Sequence, residues 1–311
     1  MASKEILGPQ FTFTGQPAPQ SLKSDFLSPT FLKGRENEER QYLCSIYLSL
    51  SNSVFALTGS GLETDPYLIQ SLADFNEFAS DPNYWDDYTR LETDVNLEGI
   101  TYNTAVIAPD TVYTTYNFDG VPYTGEFDGN SYKILNLTID TGGLDKDFLG
   151  LFGMISASAV VANLGIEDAV VTGSGNFVYG DFTGDFGVLV GNNSGVIQNC
   201  WVKGSLTAGN YSEDVGGLCG WNQSTGTISG CYVIGPVSGG ANSGGLGGVC
   251  GSNDGIITDC WANSSITGRN SLGGLCGFLD GGSIINSYST GSVTGTAGDL
   301  GGFCGGAFRF C

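Results

Sequence analysis

The chain has 311 residues and a formal net charge of −21, because 32 acidic side chains stand against 11 basic ones, and it contains no histidine. A charge of this sign repels nucleic acids and anionic membranes, so both are excluded as partners. The missing histidine excludes triads with a histidine base and zinc sites with histidine ligands. Glycine contributes 50 residues without a collagen triplet and apolar residues contribute 41%, so the composition indicates neither collagen nor disorder.

Residues 1–58 are predicted to be an N-terminal extension. Within it, residues 42–56 (YLCSIYLSLSNSVFA) are apolar and serine-rich and follow several basic residues. This pattern is typical of a secretion signal that ends near residue 56, although glutamates lie among the basic residues and 41 residues come first. The alternative is a flexible extension with one apolar patch. No apolar run reaches the roughly 18 residues that a membrane-spanning helix needs, so we expect no membrane span.

Residues 59–87 are predicted to be a helical cap. Four apolar residues there are spaced to share one face of a helix: Leu68, Leu72, Phe75 and Phe78. A coil of stacked strands has an unpaired edge at each end, and we expect this helix to cover the first edge. Further along, residues 103–122 are rich in Thr, Tyr and Asn and are predicted to be an inserted loop.

Residues 88–311 carry repeated phrases, which are clearest over residues 186–307. The phrase "GGLCG" and its variants place a marker residue every 26–31 positions, at Val190, Cys219, Cys250, Cys276 and Cys304. Each unit consists of short strand-like segments with glycine, Asn or Asp at the corners. Such a unit cannot bury its own apolar face, whereas stacked copies can. We therefore predict an all-β fold, a parallel β-helix of about six to eight turns, since propeller blades need roughly 40–50 residues.

A second phrase, such as "GIITDCWANSSITGR" (255–269), recurs four times without a gap. It predicts four columns of stacked side chains, of which the last contains Leu206, Val237, Ile266 and Val293. The first column is apolar and contains Ile197, Ile228, Ile257 and Ile285, with Ile284 beside the last. The second contains Cys200, Cys231, Cys260 and Ser287. The third contains Trp201, Tyr232, Trp261 and Tyr288.

Seven cysteines in these repeats are predicted to be structural core residues: Cys200, Cys219, Cys231, Cys250, Cys260, Cys276 and Cys304. Cysteine packs as a small hydrophobic residue, and the flanking glycines would permit tight corners with positive φ. The absence of a C-x-x-C pair argues against zinc. Disulfides between turns are the alternative in an exported chain, but the odd total of nine cysteines favours free thiols.

The aromatic column carries the tentative binding site. If the cysteines point inward, the next residues (Trp201, Tyr232, Trp261 and Tyr288) point outward as a stripe that suits sugar rings or a partner protein. The alternative is that neighbouring rings stack on each other and stiffen the rod. A weaker hypothesis places calcium at acidic loops that contain Asp128, Asp181 and Asp185, although no known calcium loop pattern is present. We predict no catalytic residues and no other cofactor.

The phrases "GTISGCYVIGPVSG", "GGLGGVCGSN" and "GIITDC" resemble the GLUG repeat. The earlier phrase "YTGEFDGNSYKILNLTI" resembles the N-terminal half that often accompanies this repeat in bacterial surface proteins, and together the resemblance covers about residues 59–307. The resemblance implies a right-handed β-helix related to pectin-lyase-like folds and a location outside the cell or on its surface. The repeats, the acidity and the aromatic column together favour a non-catalytic role in adhesion or structure, through contacts with a glycan or a partner protein. The alternatives are a polysaccharide lyase or glycosidase, and an accessory segment of a larger assembly.

Two further expectations concern enzymes and assembly. GLUG repeats also accompany immunoglobulin A-cleaving metallopeptidases, whose H-E-x-x-H motif is impossible in a chain without histidine. The sequence ends in "GGFCGGAFRFC", partway through a repeat, so the expectation is either a longer array or self-association through an open C-terminal turn.

Overall fold

The computed structural model describes residues 57–112, 117–174 and 183–308. Over these ranges the chain forms a β-solenoid of about six turns, built from parallel sheets with one α-helix. This confirms the predicted parallel β-helix. Each complete turn passes in the same order through four sheets, which are named A, B, C and D below.

The strands of each sheet pair in parallel with those of the neighbouring turns. Sheet A contains Tyr67–Ile69, Tyr88–Leu91, Glu126–Asp128, Val160–Ala162, Val196–Gln198, Thr227–Ser229, Ile256–Thr258 and Ser283–Ile285. Sheet B contains Val95–Asn96, Lys133–Leu135, Thr138–Asp145, Gly165–Ser174, Trp201–Ala208, Tyr232–Ile234, Val237–Gly239, Trp261–Asn263, Ile266–Gly268, Tyr288–Ser289 and Val293–Gly295. Sheet C contains Thr183–Gly187, Ser212–Gly216, Gly244–Gly247, Asn270–Gly273 and Leu300–Gly301. Sheet D contains Phe152–Ile155, Val190–Asn193, Cys219–Asn222, Cys250–Asn253, Cys276–Asp280 and Cys304–Phe308.

The apolar interior consists of side chains stacked in register along the axis. In sheet A, Ile197 pairs with Ile228 and Ile228 with Ile257. The next member of this column is Ile284, not the predicted Ile285, which is 49% exposed. Because side chains alternate between the two faces of a strand, a shift of one residue moves the isoleucine from the interior to the surface.

The corner between sheets A and B requires a left-handed backbone. The residue that enters sheet B has a φ of 48° to 63° in five successive turns: Asn163, Asn199, Gly230, Asp259 and Asn286. Asn, Asp and Gly are the residues that adopt this conformation at least cost, so they recur at this position of the repeat. The cysteine column begins immediately after it.

The glycines around the sheet D cysteines have a different role from the predicted one. Of the glycines in "VGGLCG" (215–220), none has a positive φ. A Cβ at Gly216 would collide with the carbonyl oxygen of Cys219, and a Cβ at Gly220 would meet the backbone of Asp185 and Phe186 in sheet C. Sheets C and D therefore approach each other backbone to backbone, and glycine is needed because a side chain has no room.

The helix is shorter than its apolar pattern predicted, and it spans Leu72–Ser80. Ser71 caps its N-terminus by accepting the N–H of Asp74. Leu68, expected on the helix, instead lies in strand Tyr67–Ile69, which pairs with Tyr88–Leu91. The solenoid thus begins before residue 88. A 3₁₀ turn, Pro82–Tyr84, follows the helix.

Two aromatic side chains attach the helix to the coil. Phe75 and Phe78 are fully buried, and the Phe78 ring lies 5.5 Å from that of Phe127 and 6.2 Å from that of Tyr123. Among the described residues no helix is long and apolar enough to cross a membrane.

Residues 103–122, predicted to be an inserted loop, continue the coil where they are described. Residues 105–108 are buried, and Ile107 forms a parallel bridge with Phe152 of sheet D. Tyr123, just after this segment, bridges Ile155 in the same way. The loop prediction followed the polar composition of the whole segment and overlooked its short apolar run, residues 105–108. This run forms part of one irregular turn of the solenoid.

Candidate functional site

The aromatic column of sheet B is a ladder of stacked rings. Trp201 and Tyr232 have ring centroids 5.8 Å apart, Tyr232 and Trp261 4.6 Å, and Trp261 and Tyr288 6.1 Å. The ring planes deviate from parallel by 4° to 8°. The strands bring these residues together because their backbone partners are in register.

Two lysines and a glutamate lie beside the Trp201 end of the ladder. The Nζ atoms of Lys203 and Lys133 lie 4.9 Å and 5.8 Å from the Trp201 ring centroid. Both lysines pair with Glu167, at 2.8 Å for Lys133 and 3.2 Å for Lys203. These hydrogen bonds lower the pKa of Glu167. Gly165 makes room for the Trp201 ring, which would collide with any side chain at that position.

The stacking determines what the ladder can bind. A sugar ring binds an aromatic side chain through its face, but the facing surfaces of Trp201, Tyr232 and Trp261 are covered by one another. Their edges remain, and these three residues are only partly exposed. Tyr288 is 53% exposed and, within the described turns, stacks on Trp261 alone. It is thus the member best placed to offer a face to a ligand.

The cysteines at the A–B corner form a hydrogen-bonded column. The backbone N–H of Cys200 donates to Sγ of Cys231 at 3.4 Å, and that of Cys231 donates to Sγ of Cys260 at 3.4 Å. The N–H of Cys260 donates to Oγ of Ser287 at 3.1 Å. Each thiol in turn donates to a backbone carbonyl two residues earlier, as Cys231 does to Ser229. The column therefore needs a side chain that both accepts and donates.

The sheet D thiols also donate to backbone carbonyls, in this case two residues later in the chain, as Cys250 does to Ser252 at 2.9 Å. Cys219, Cys250 and Cys276 are fully buried, while Cys304 is half-buried. Phe152 and Val190 occupy the same column in earlier turns, so no hydrogen-bonding side chain is required there. Burial raises the pKa of Cys250, and a hydrogen bond with Cys304, followed by burial, raises that of Cys276. All seven cysteines of the described ranges are unpaired thiols, and burial argues against reactive roles for six of them. Cys304 differs, because it is half-buried and its hydrogen bond with Cys276 lowers its pKa.

An asparagine ladder, which the sequence analysis missed, runs along the end of sheet D. Nδ2 of Asn193 donates to Oδ1 of Asn222 at 2.7 Å, and Nδ2 of Asn222 donates to Oδ1 of Asn253 at 2.6 Å. All three side chains are fully buried. The sequence could have predicted this ladder, because an asparagine ends each of the phrases "VGNN", "CGWN" and "CGSN". The ladder satisfies polar groups at the turn into sheet A, as buried amides require.

Two aspartates that lie in equivalent positions of successive turns form a second missed feature. Asp185 and Asp214 both have left-handed backbones in sheet C, with φ of 61° and 53°. Asp185 accepts a 2.7 Å hydrogen bond from Asn192, and Asp214 accepts one from Ser252. Burial raises the pKa of Asp185 well above its usual value and raises that of Asp214 to about 7. Both carboxyls are therefore used in internal hydrogen bonds and favour their protonated forms.

The two described residues of the calcium hypothesis, Asp128 and Asp185, lie in different sheets. Asp128 accepts hydrogen bonds from the N–H of Asn130 and the side chain of Asn163, both at 2.9 Å, and belongs to sheet A. Asp185 belongs to sheet C, and Asp181 lies outside the described residues. Within the described ranges there is no group of three or more Cys, Asp or Glu side chains arranged to hold a metal ion.

The fold and the ladders together define a solenoid of stacked glycine-rich repeats. A match to a known repeat family supports this class. The family model of the GLUG motif matches residues 211–238 and 268–294. The chain therefore contains GLUG-motif repeats folded as a β-solenoid, as the resemblance implied.

Two curated proteins are similar in sequence. Halomucin from Haloquadratum walsbyi is 31% identical over 169 residues, which is 54% of this chain and 2% of halomucin. A "Putative Gly-rich membrane protein" from Evansella cellulosilytica is 33% identical over 155 residues, which is 49% of this chain and 16% of that protein. The chain thus spans only a small part of the length of these relatives.

A crystal structure of a "putative immunoglobulin A1 protease" from Bacteroides ovatus is similar in fold. The likeness covers 80% of this chain and 86% of that chain, at 19% identity and a TM-score of 0.49.

Proposed function

We propose that the chain is a non-catalytic repeat module of an extracellular or cell-surface protein, in which it acts as a structural rod. The names of the relatives, a halomucin and a glycine-rich membrane protein, support the location. The observation that carries the structural role is the aromatic ladder. Its rings stack face to face, with neighbouring centroids 4.6 to 6.1 Å apart, so most of their faces are covered by other rings and not exposed to solvent.

Further ladders support the same proposal. The asparagines of sheet D and the thiols of the A–B corner bond from turn to turn along the axis. Such contacts link each repeat to its neighbours, which is how a solenoid gains stability. The buried aspartates also serve this purpose, because Asp185 and Asp214 accept bonds from Asn192 and Ser252. Their use in internal hydrogen bonds is the reason for preferring a non-catalytic role over a glycosidase or lyase.

A second candidate function is adhesion to glycans through the ladder. The specific observation in its favour is the exposed ring of Tyr288, which is 53% exposed. An aromatic face of this kind can stack against a sugar ring. Under this proposal the other three rings stiffen and position the terminal one.

One experiment separates the two roles. Trp261→Ala and Tyr288→Ala are compared with the wild type for melting temperature and on a glycan array. Trp261 contacts a ring on each side and Tyr288 contacts one, so the structural role predicts a larger loss of stability for Trp261→Ala, about 2–4 kcal/mol against about 1. It also predicts no glycan binding by any of the three proteins.

Adhesion predicts the opposite pattern. A glycan signal in the wild type that Tyr288→Ala removes without lowering the melting temperature would establish binding and refute a purely structural role. Turnover of any polysaccharide in a parallel panel of uronic-acid and neutral polymers would refute the non-catalytic assignment.

A further inference from the structure

A second column with aromatic residues runs along sheet D, and it has a gap. Successive turns place Asn192, Trp221, Ser252, Phe278 and Gly306 at the same register position. Trp221 and Phe278 are therefore two turns apart, with the small side chain of Ser252 between them. At a strand spacing of about 4.8 Å, this separation is close to 10 Å.

The ladder of sheet B shows what fits in such a space. There, Tyr232 fills the position between Trp201 and Trp261 and lies 5.8 Å and 4.6 Å from their ring centroids. A flat group at the Ser252 position would have room to contact Trp221 and Phe278 in the same manner. The space is real: a cleft of about 200 Å³ is lined by Asp214, Trp221, Ser252, Asp254, Phe278 and Asp280.

The cleft is also acidic, and this observation does not depend on the spacing of the aromatic rings. Three of its six lining residues are aspartates, and Asp254 accepts a 3.2 Å hydrogen bond from Nε1 of Trp221. In the part of the chain that the structure describes, none of these three aspartates forms an ion pair with a basic side chain. Burial, with the charge of Asp280, raises the pKa of Asp254, as expected for carboxylates without a counter-ion.

We propose that this cleft binds a guanidinium group, presented by an arginine side chain of a partner protein, between Trp221 and Phe278 and against Asp254 and Asp280. A guanidinium is planar, stacks on aromatic faces and forms paired hydrogen bonds with carboxylates. An alkylammonium lacks the planar shape, and a hard metal ion gains nothing from the aromatic walls. The gap between the aromatic rings and the carboxylates that have no basic partner among the described residues therefore select the same chemistry.

The test uses N-acetyl-arginine methylamide as a probe, with n-butylammonium and calcium as competitors. Binding is followed by calorimetry and by the indole N–H resonance of Trp221, assigned with Trp221→Leu. The expected dissociation constant for the isolated group is on the order of 1 mM, and the ammonium should bind at least about fivefold more weakly. A short arginine-containing peptide that binds more tightly than n-butylguanidinium would favour a protein over a small-molecule source.

A matched pair of variants tests the gap itself. Ser252→Phe fills the missing position and should abolish binding, whereas Ser252→Ala leaves it open and should retain binding within about twofold. Asp280→Asn removes one of the two carboxylates that face the guanidinium and should weaken binding about fivefold or more. If Ser252→Phe does not fold, this variant tests the site in its place.

Three outcomes would overturn the proposal. Unchanged binding by Ser252→Phe that circular dichroism shows to be folded would place the site elsewhere. Equal affinity for n-butylammonium would remove the guanidinium assignment. Calcium binding that shifts the Trp221 resonance, without any effect of the arginine probe, would show that the carboxylates alone form a cation site.

Discussion

Cysteine occupies two columns of this solenoid for two different reasons. At the A–B corner the thiol accepts a backbone N–H from one turn and donates to a carbonyl within its own turn. In sheet D it fills a buried position that Val190 and Phe152 also fill. The presence of Ser287 in the first column and of Val190 in the second reflects this difference. A steric account, which treats both columns as small hydrophobic positions, describes only the second.

Substitution with valine distinguishes the two columns. Cys231→Val should cost about 1–3 kcal/mol of unfolding free energy, because the N–H of Cys200 loses its acceptor in a buried site. Cys231→Ser should restore most of this stability. Cys250→Val should cost less than about 1.5 kcal/mol, since valine is accommodated at the equivalent position 190. Urea denaturation measures all three, and equal losses for both valine variants would contradict the distinction.

The helix Leu72–Ser80 shows how a short element gains its stability from packing. Nine residues are too few to form a stable helix alone. Its Ser71 cap satisfies the first turn, and the rings of Phe75 and Phe78 are buried against the coil. Leu72, on the same predicted face, is 38% exposed. The apolar period therefore located the helix, but only two of its four residues carry the packing.

Alanine substitution at two helix positions tests this division. Phe78→Ala should destabilise the protein by about 3–5 kcal/mol, because it leaves a cavity beside Phe127 and Tyr123. Leu72→Ala is the matched control, since it shortens a side chain of the same helix at a partly exposed position, and it should cost below about 1 kcal/mol. Thermal or urea denaturation provides the comparison. A Leu72→Ala loss as large as that of Phe78→Ala would mean that helix propensity, not packing, attaches the element.

At the scale of the whole molecule, repetition made the fold predictable. Four gapless copies of one phrase gave the in-register columns that the sheets show, from Ile197 to Ile257 and from Trp201 to Tyr288. What repetition could not predict is how neighbouring sheets meet. The bond between Asp214 and Ser252 joins residues 38 positions apart in different sheets, and no local pattern encodes it. The glycines at the C–D contact were misassigned for the same reason, since their role depends on a backbone from another part of the turn.

The net charge of −21 and the buried aspartates together predict how stability depends on pH. Burial is the main cause that raises the pKa of Asp147 to about 6, that of Asp214 to about 7 and that of Asp185 well above its usual value. The charges of Glu213 and Asp254 raise the pKa of Asp214 further. Those of Asp145 and Asp110 do the same for Asp147, and those of Asp214 and Asp147 do so for Asp185. These groups therefore favour folding in their protonated forms.

The sign of the effect follows from proton linkage. An unfolded aspartate titrates near about 3.9, so between that pH and about 7 the folded chain binds more protons than the unfolded chain, and stability falls as pH rises. The melting temperature should thus be higher at pH 5 than at pH 8. Asp214→Asn keeps an acceptor for Ser252 and removes the titrating group, so it should raise the melting temperature at pH 8 and flatten the profile. Asp299→Asn, which removes the same charge at an exposed site, should leave the slope unchanged. A melting temperature that rises from pH 5 to pH 8 would contradict this prediction. An equal effect of the two variants would show that general charge repulsion, rather than the buried pair, sets the dependence.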